Sequence, residues 1–398
     1  MKTAAKVLCL IAHPIQYYTP IFSYISRLFD LTVIYGKNIT SKDHALSGFG
    51  VDFTWDVDLL ESHRSVFLCK KIIFEHQNDR QFSRKESFSK FIRRERFDIV
   101  LVIGWYERFL VQGALLARTL GLPLIVRGDS HMGTPRGRLK SAVVHLTYPA
   151  LLRVFDAALY VGQRNFDYYR HFGYPAARLF HSPHCVDTDR FAGSATPQAR
   201  MELRSRLGIR NDEKVVLFAG KLVPFKRPVD VVEAVAQVMQ KGVPARLLVA
   251  GSGPMEADVR ARAQTLGVTL DFLGFQNQTE MPSAYAAADL MVLPSTGRET
   301  WGLVCNEALA CGIPIVVSDQ VGCAPDLAKD GLVGRSFSMG NITELADACA
   351  ATFANPPSNA AIRAVSDQFS IQRAVGGIVE AIEMVVSGRR YRGERVVR

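Results

Sequence analysis

A chain of 398 residues with 48% hydrophobic and 22% charged residues has the composition of a globular protein, and at roughly 100–200 residues per domain it has room for two or three domains. No stretch approaches the roughly 20 consecutive apolar residues that span a bilayer. The seven cysteines are odd in number, scattered and free of any C-x-x-C pair, which implies neither a zinc site nor a disulfide framework and fits a reduced cytosol. Charge divides unevenly: residues 1–190 carry 26 Lys and Arg against 17 Asp and Glu, a net of +9, and residues 191–398 carry 22 against 21, a net of +1. A field of that kind on the first half suits an anionic partner, either a lipid surface or a phosphorylated acceptor. Nucleic acid is not expected, because no helix-turn-helix, zinc-finger or RNA-recognition signature occurs.

In chain order, the apolar run Val7–Ala12 is too short for a signal peptide and ends at His13-Pro14, so it reads as a first buried strand. Further strand-like runs follow at Leu31–Tyr35, Ile99–Ile103, Leu124–Val126 and Ala158–Val161. Pro, His, Asp, Thr and Gly then cluster at Pro183–Gly193 and mark a boundary. A second series has strands at Val215–Ala219, Leu247–Ala250, Leu270–Leu273, Leu290–Leu293 and Ile315–Val317. Helical patterns at Val229–Met239, Glu256–Leu266 and Leu303–Ala310 fall between them. A last helix, Ile371–Ser387, leads into a basic tail with Arg389, Arg390, Arg392, Arg395 and Arg398. The alternation predicts an α/β chain with parallel sheets covered on both faces. The expected divisions are 1–188, 189–370, and a segment 371–398 that crosses back to the first domain. Ligands in such folds bind outside the carboxyl ends of the strands, here in a cleft between the domains.

Two stretches at such strand ends carry chemistry. The first, Gly220-Lys221-Leu222-Val223-Pro224-Phe225-Lys226, places two lysines where they can converge on one anion. A contact ion pair is worth about 4 kcal/mol at an effective dielectric of 20. A departing diphosphate gains charge as its bond breaks, so such cations favour the transition state. The plain alternative is a solvated basic loop. The second stretch runs from Arg298 to Gly312. A helix starting near Gly302 offers free N–H groups and a positive dipole to an anion. Glu307 sits among Leu303, Val304, Ala308 and Leu309, a setting in which a carboxylate needs a partner; ribose hydroxyls would serve. Glu299 is placed to accept from a donor sugar, its alternative being a helix-dipole partner.

The segment ETWGLVCNEALACGIPIVVSD, with Glu299 and Glu307 as an E-x7-E pair, closely resembles the donor-site segment of glycosyltransferase family 4. AGKLVPFKRP, LLVAGSGP, LDFLGFQNQTEMPSAYAAADLMVLPS and HSPHCVDTDRF resemble further motifs of that family in the same order, and AHPIQYYTPIF and VRGDSHMG resemble a bacterial polysaccharide-type branch. The likeness covers Pro183 to Leu345 best. It implies a GT-B fold, two Rossmann-like domains with parallel sheets facing a deep interdomain cleft. It also implies a retaining, metal-independent enzyme with no cofactor, whose donor substrate is a nucleoside-diphosphate sugar. Lys221 and Lys226 would hold the diphosphate, Glu299 the sugar and Glu307 the ribose. Gly302, Leu303 and Val304 would offer backbone amides, Gly220 and Gly251 would shape the loops, and Phe275 would lie near the base. Lys221 stands where an Arg is commoner, giving a point charge in place of a fork. Trp301 stands for a commoner Phe, a change expected to matter little. His13 and Gln16 are acceptor-side candidates. In the family a His follows the strand corresponding to Leu124–Val126; by register that place falls to Asp129, with His131 two residues on, and either one faces the reacting centre.

The expected function is transfer of a sugar to a glycan or lipid-linked hydroxyl acceptor in polysaccharide or glycolipid synthesis. The rivals are an epimerase or hydrolase on the same fold and a non-catalytic sugar-nucleotide-binding subunit. Asp56-Val57-Asp58 and Asp187-Thr188-Asp189 spell the metal-site pattern Asp-x-Asp but read as polar turns. Phe82–Phe97 interleaves Arg84, Lys85, Lys90, Arg93, Arg94 and Arg96 with Phe88, Phe91 and Ile92 at helical spacing. Two readings are open for it: a helix lying on an anionic membrane, or phenylalanines packed on the sheet with cations facing water. The chain is expected in the cytoplasm, at the inner face of the membrane.

Overall fold

The computed structural model describes residues 5–37, 50–69, 72–75, 86–135, 137–328 and 331–391. Arg84, Lys85, Arg392, Arg395 and Arg398, named above, lie outside them.

Among the described residues two sheets form. The first contains β1 (Lys6–Ile11), β2 (Asp30–Tyr35), β3 (Arg64–Cys69), β4 (Ile72–Glu75), β5 (Glu86–Ser87), β6 (Ile99–Ile103), β7 (Leu124–Arg127), β8 (Ala157–Tyr160) and β9 (Leu179–His181). The second contains β10 (Lys214–Ala219), β11 (Ala245–Ala250), β12 (Leu270–Gly274), β13 (Leu290–Leu293), β14 (Ile315–Ser318) and β15 (Gly334–Phe337). The spatial orders are β5-β4-β3-β2-β1-β6-β7-β8-β9 and β12-β11-β10-β13-β14-β15. All pairings are parallel except those of β4 with β3 and β5. Parallel strands joined through helices are buried on both faces, which explains their continuous Val, Ile and Leu runs.

Alternate side chains enter opposite layers. On the first sheet Val7, Cys9 and Ile11 face one layer and Leu8 and Leu10 the other. The first of those layers is completed from the far end of the chain. Helix Ile371–Tyr391 packs over β8, β9 and helix Thr19–Leu28, adding Ala374, Val375, Ile378 and Ile382 to the layer that holds Val7, Cys9, Ile99 and Leu101. Ser182, in the crossover between domains, donates its hydroxyl to the Ala374 carbonyl at 2.9 Å. Arg127 is buried beneath, and donates to Tyr18 Oη at 2.5 Å and to the carbonyls of Ser182 and Pro183 at 3.1 and 2.9 Å.

The helix Phe88–Glu95 resolves the two readings of that region. Phe91 and Ile92 are buried in the sheet's other layer and Phe88 packs against it. Arg94 pairs with Glu86 and Glu95 at 2.5 Å each, and Arg64 with Glu95 at 2.9 Å. The aromatic face belongs to the core and part of the basic face is neutralised, so this helix has no apolar side to lay on a membrane.

Replacing Ile378 with Ala removes a side chain that is 1% exposed and leaves a cavity between helix Ile371–Tyr391 and the first sheet. The expected loss is about 2–5 kcal/mol, read as a lowered denaturation midpoint for the first domain.

Candidate active site

The carboxyl ends of the two sheets face each other across a cleft of about 900 Å³. Its wall includes His13, Gln16 and Asp129 from the first domain, and Gly220, Lys221, Lys226, Gly251, Phe275, Glu299, Gly302, Leu303, Val304 and Glu307 from the second. His131 is the one sequence-predicted residue outside it. Its ring is buried under its own turn, where Nδ1 accepts the Gly133 N–H at 3.1 Å. The Ser130 carbonyl is held from outside by Asn165 at 2.8 Å, which fixes the loop with Asp129 toward the cleft and His131 away from it.

The loops after β10, β11 and β12 are laced together by their main chains. Gly220 N–H donates to the Ala250 carbonyl at 2.9 Å, Leu222 to Ser252 at 2.9 Å, and Gly251 to Gly274 at 2.7 Å. A Cβ on Gly251 would lie 1.9 Å from the Gly220 carbonyl oxygen, so only glycine allows these loops to meet. The loop after β13 joins the set through the N–H of Thr296, which donates to the Phe225 carbonyl at 2.8 Å.

On this scaffold Lys226 Nζ stands 2.6 Å from Glu299 Oε2, with the side chains 12% and 16% exposed. Ser295 Oγ donates to the same oxygen at 3.3 Å. Burial, then the nearby Lys226 charge, lowers the pKa of Lys221. Helix Leu303–Ala310 opens behind Gly302, whose φ is +101°. A Cβ there would also strike Leu293 at 2.6 Å. The first-turn N–H groups of Leu303 and Val304 have no intrahelical acceptor, and both residues line the cleft.

Glu307, on the same helix, is 2% exposed. Tyr17, from the loop after β1, donates to Oε1 at 2.9 Å, and Tyr285 donates to Oε2 at 2.7 Å. Burial raises the Glu307 pKa against the pull of those hydroxyls and of Arg190. Arg190 is itself fixed on Gln278 by two contacts of 2.8 Å.

Across the cleft Asp129 Oδ2 accepts the Thr300 hydroxyl at 2.8 Å and lies 3.9 Å from His184 Nε2. Partial burial acts to raise the Asp129 pKa, but His184 and the Thr300 hydroxyl pull it down to about 2. The side chain stays half open to the cleft and is ionised at neutral pH. Burial lowers the His184 pKa. His184 comes from the crossover segment, and it stands beside Asp129 where His131 does not.

Trp301 matters more than a size change would. Its indole N–H donates to Asn306 Oδ1 at 2.8 Å, and Asn306 Nδ2 donates to the His184 carbonyl at 3.1 Å. A Phe cannot make the first of these bonds, so the indole helps to hold the crossover carrying His184.

Of the Asp-x-Asp pairs, Asp58 accepts the N–H groups of Leu60 and Glu61 and Asp187 that of Arg190, as polar turns do. Asp56 departs from that reading. It reaches the other domain and accepts the N–H groups of Gln278 and Thr279 at 3.2 and 3.0 Å.

Residues 199–367 match the family model described as glycosyl transferases group 1. The matched stretch covers most of the second domain. Among curated relatives, a D-inositol 3-phosphate glycosyltransferase of Mycolicibacterium smegmatis is 34% identical over 220 residues, covering 53% of this chain and 48% of the relative. A GDP-mannose-dependent alpha-(1-6)-phosphatidylinositol monomannoside mannosyltransferase of the same organism is 33% identical over 196 residues, covering 47% of this chain and 50% of that one. The chain thus spans about half the length of these relatives. Anabaena HepE, solved with UDP, superposes with a TM-score of 0.71 at 18% identity, covering 95% of this chain and all of that one. The likeness over both domains gives the fold as GT-B, and the stretch that matches the family model contains Lys221, Lys226, Glu299 and Glu307.

Replacing Tyr17 with Phe leaves Glu307 Oε1 without its donor from the first domain. The expected cost is about 1–3 kcal/mol, and it should largely vanish in a Glu307→Gln background. A double-mutant cycle in urea checks this; full additivity would show that the two residues do not act together.

Proposed function

We propose that the chain transfers a sugar from a nucleoside diphosphate sugar to a hydroxyl on a glycan or lipid-linked acceptor, with retention and without a metal or other cofactor. The observation that carries this reading is the convergence in one cleft of Lys221, Lys226, the first turn of Leu303–Ala310 and Glu307. Two cations and a helix N-terminus suit a diphosphate, and Glu307 suits the ribose hydroxyls. As the bond from the anomeric carbon to phosphate oxygen breaks, negative charge grows on the diphosphate, and preorganised cations stabilise that state most. Lys226 exchanges part of its contact with Glu299 for the diphosphate, and Glu299, positioned by Ser295, accepts from a sugar hydroxyl. Ionised Asp129 faces the sugar from the other domain, where it favours positive charge at the anomeric carbon. The acceptor oxygen bonds to that carbon on the face the diphosphate leaves, its proton passes to the departing phosphate oxygen, and configuration is retained. His13 and Gln16 lie on the acceptor's side.

One relative is GDP-mannose-dependent and HepE was solved with UDP, so both bases belong in the donor panel. With the donor that raises the thermal midpoint, Lys226→Ala should lower turnover roughly 10²–10³-fold. Glu307→Gln should act mainly on donor affinity. A chelator should leave turnover unchanged; loss with rescue by a divalent cation would remove the metal-independent part. Wild-type turnover in both Lys221→Ala and Lys226→Ala would remove the assigned diphosphate site.

We also infer that the protein works in the cytoplasm, at the inner face of the membrane, from which a lipid-linked acceptor is taken. Among the described residues no helix is long and apolar enough to cross a bilayer. The support is helix Arg138–Leu152, which follows the loop that carries Asp129. It packs inward through Val144, Tyr148 and Leu152. Outward it presents Leu139, Val143 and Leu146, which are 82%, 51% and 82% exposed and share one face at spacings of three and four. From residue 130 to 155 the sequence has four basic residues and no acidic one. Two copies meeting at this face would bring like charges together, whereas an anionic bilayer takes both the leucines and the charge. In co-sedimentation with phosphatidylglycerol-rich vesicles, binding should weaken with salt and fall when Leu139 and Leu146 become Asp. Arg93→Glu with Arg96→Glu, on the other helix, should bind like wild type. Equal binding to neutral vesicles, or no effect of the leucine changes, would remove this surface.

A further inference from the structure

Part of the cleft wall is an aromatic side chain, Trp55, brought by the first domain. Residues 53–56, ahead of β3, lie on the loop after β12. Phe53 stacks on Phe275 with ring centroids 4.0 Å apart and planes 29° apart. Trp55 stands edge-on to Phe53 at 4.9 Å and tilted to Phe275 at 6.3 Å. Beside the rings is a polar hook. Asp56 accepts the N–H groups of Gln278 and Thr279 and the Thr279 hydroxyl, and Asn277 Nδ2 donates to the Thr54 carbonyl at 2.8 Å. Trp55 emerges from this clasp onto the cleft wall, next to Phe275, Gln276 and Gln278.

The position of that wall decides what meets it. Under the reading above, Glu307 takes the ribose and the lysines take the diphosphate. The Gln278 side chain interacts with Glu307, so the wall beyond the ribose is the one formed by Trp55, Phe275 and Gln276. The part of a nucleotide on that side of the ribose is its flat heteroaromatic base. Aromatic rings hold bases face to face with little regard to sequence, and amide side chains beside them can meet the base edge.

We propose that Trp55 is a nucleotide-binding residue, giving the donor's base an aromatic face contributed by the acceptor-side domain. This assignment rests on the nucleotide-sugar reading and extends it. The donor is then held by both domains, through Trp55 at the base and Asp129 at the sugar. Because a base contacts Trp55 only when the clasp is engaged, nucleotide binding favours the closed cleft.

The test uses the full-length protein with UDP, GDP and inorganic pyrophosphate, followed by titration calorimetry. Trp55→Ala should weaken the better-binding nucleotide on the order of 10-fold or more, and Trp55→Phe should recover most of the loss. Pyrophosphate, which has no base, should bind both variants as it binds wild type. Nucleotide binding to Trp55→Ala at wild-type affinity, with the thermal midpoint kept, would overturn the proposal. So would a Trp55→Ala loss of equal size for nucleotide and pyrophosphate, because it would mean that the clasp acts only on cleft shape. Failure of wild type to bind either nucleotide would overturn the nucleotide-sugar reading itself and this assignment with it.

Discussion

A carboxylate removed from water needs a donor at each oxygen, because an unmatched buried charge costs several kcal/mol. Glu307 meets that requirement with one hydroxyl from each domain, Tyr17 and Tyr285. Helix Leu303–Ala310 has to begin at Gly302 for its N-terminus and Glu307 to reach the same cleft. The loop after β1 has to carry Tyr17 across the gap between the sheets. Once these are joined, the separation of the two domains at this point is set.

Lys226 and Glu299 follow the same logic in a form that a ligand can change. Each is largely buried, and each compensates the other at 2.6 Å. An isolated ammonium here would carry the full desolvation penalty. The pair therefore keeps a cation in place before any anion arrives, and Ser295 keeps the carboxylate oriented when the cation turns away. Asp129 is different, because it stays half open and keeps its charge through Thr300 and His184.

Strands buried on both faces were legible. Ile99–Ile103 and Leu290–Leu293 coincide with β6 and β13, since every position there must be apolar. The strands not expected, β3, β4, β5, β9 and β15, lie at or near sheet edges, where water relaxes that demand and polar residues enter. The lysines and glutamates of the cleft were legible because each set is contiguous in sequence and follows a strand. Their partners were not. Tyr17 meets Glu307 across 290 residues, Asp129 meets Thr300 across 171, and Asp56 meets Thr279 across 223. No local spacing encodes such contacts. Charge pattern also could not say which surface the Phe88–Glu95 helix turns to the sheet, or that His184, and not His131, would stand beside Asp129.

The return of helix Ile371–Tyr391 to the first sheet has a consequence for biosynthesis. Every described strand of that sheet has been synthesised once His181 is made, yet the helix that completes one of its layers is finished 210 residues later. At 5–20 residues per second the interval lasts roughly 10–40 s. During it that face of the sheet has helix Thr19–Leu28 but lacks the helix that packs over β8 and β9, and the part left open is a natural resting place for a chaperone. The second domain has its strands and helices from Pro197 to Gln368 in hand as soon as it emerges. The layer on that face of the first sheet is thus complete only after helix Ile371–Tyr391 has been made.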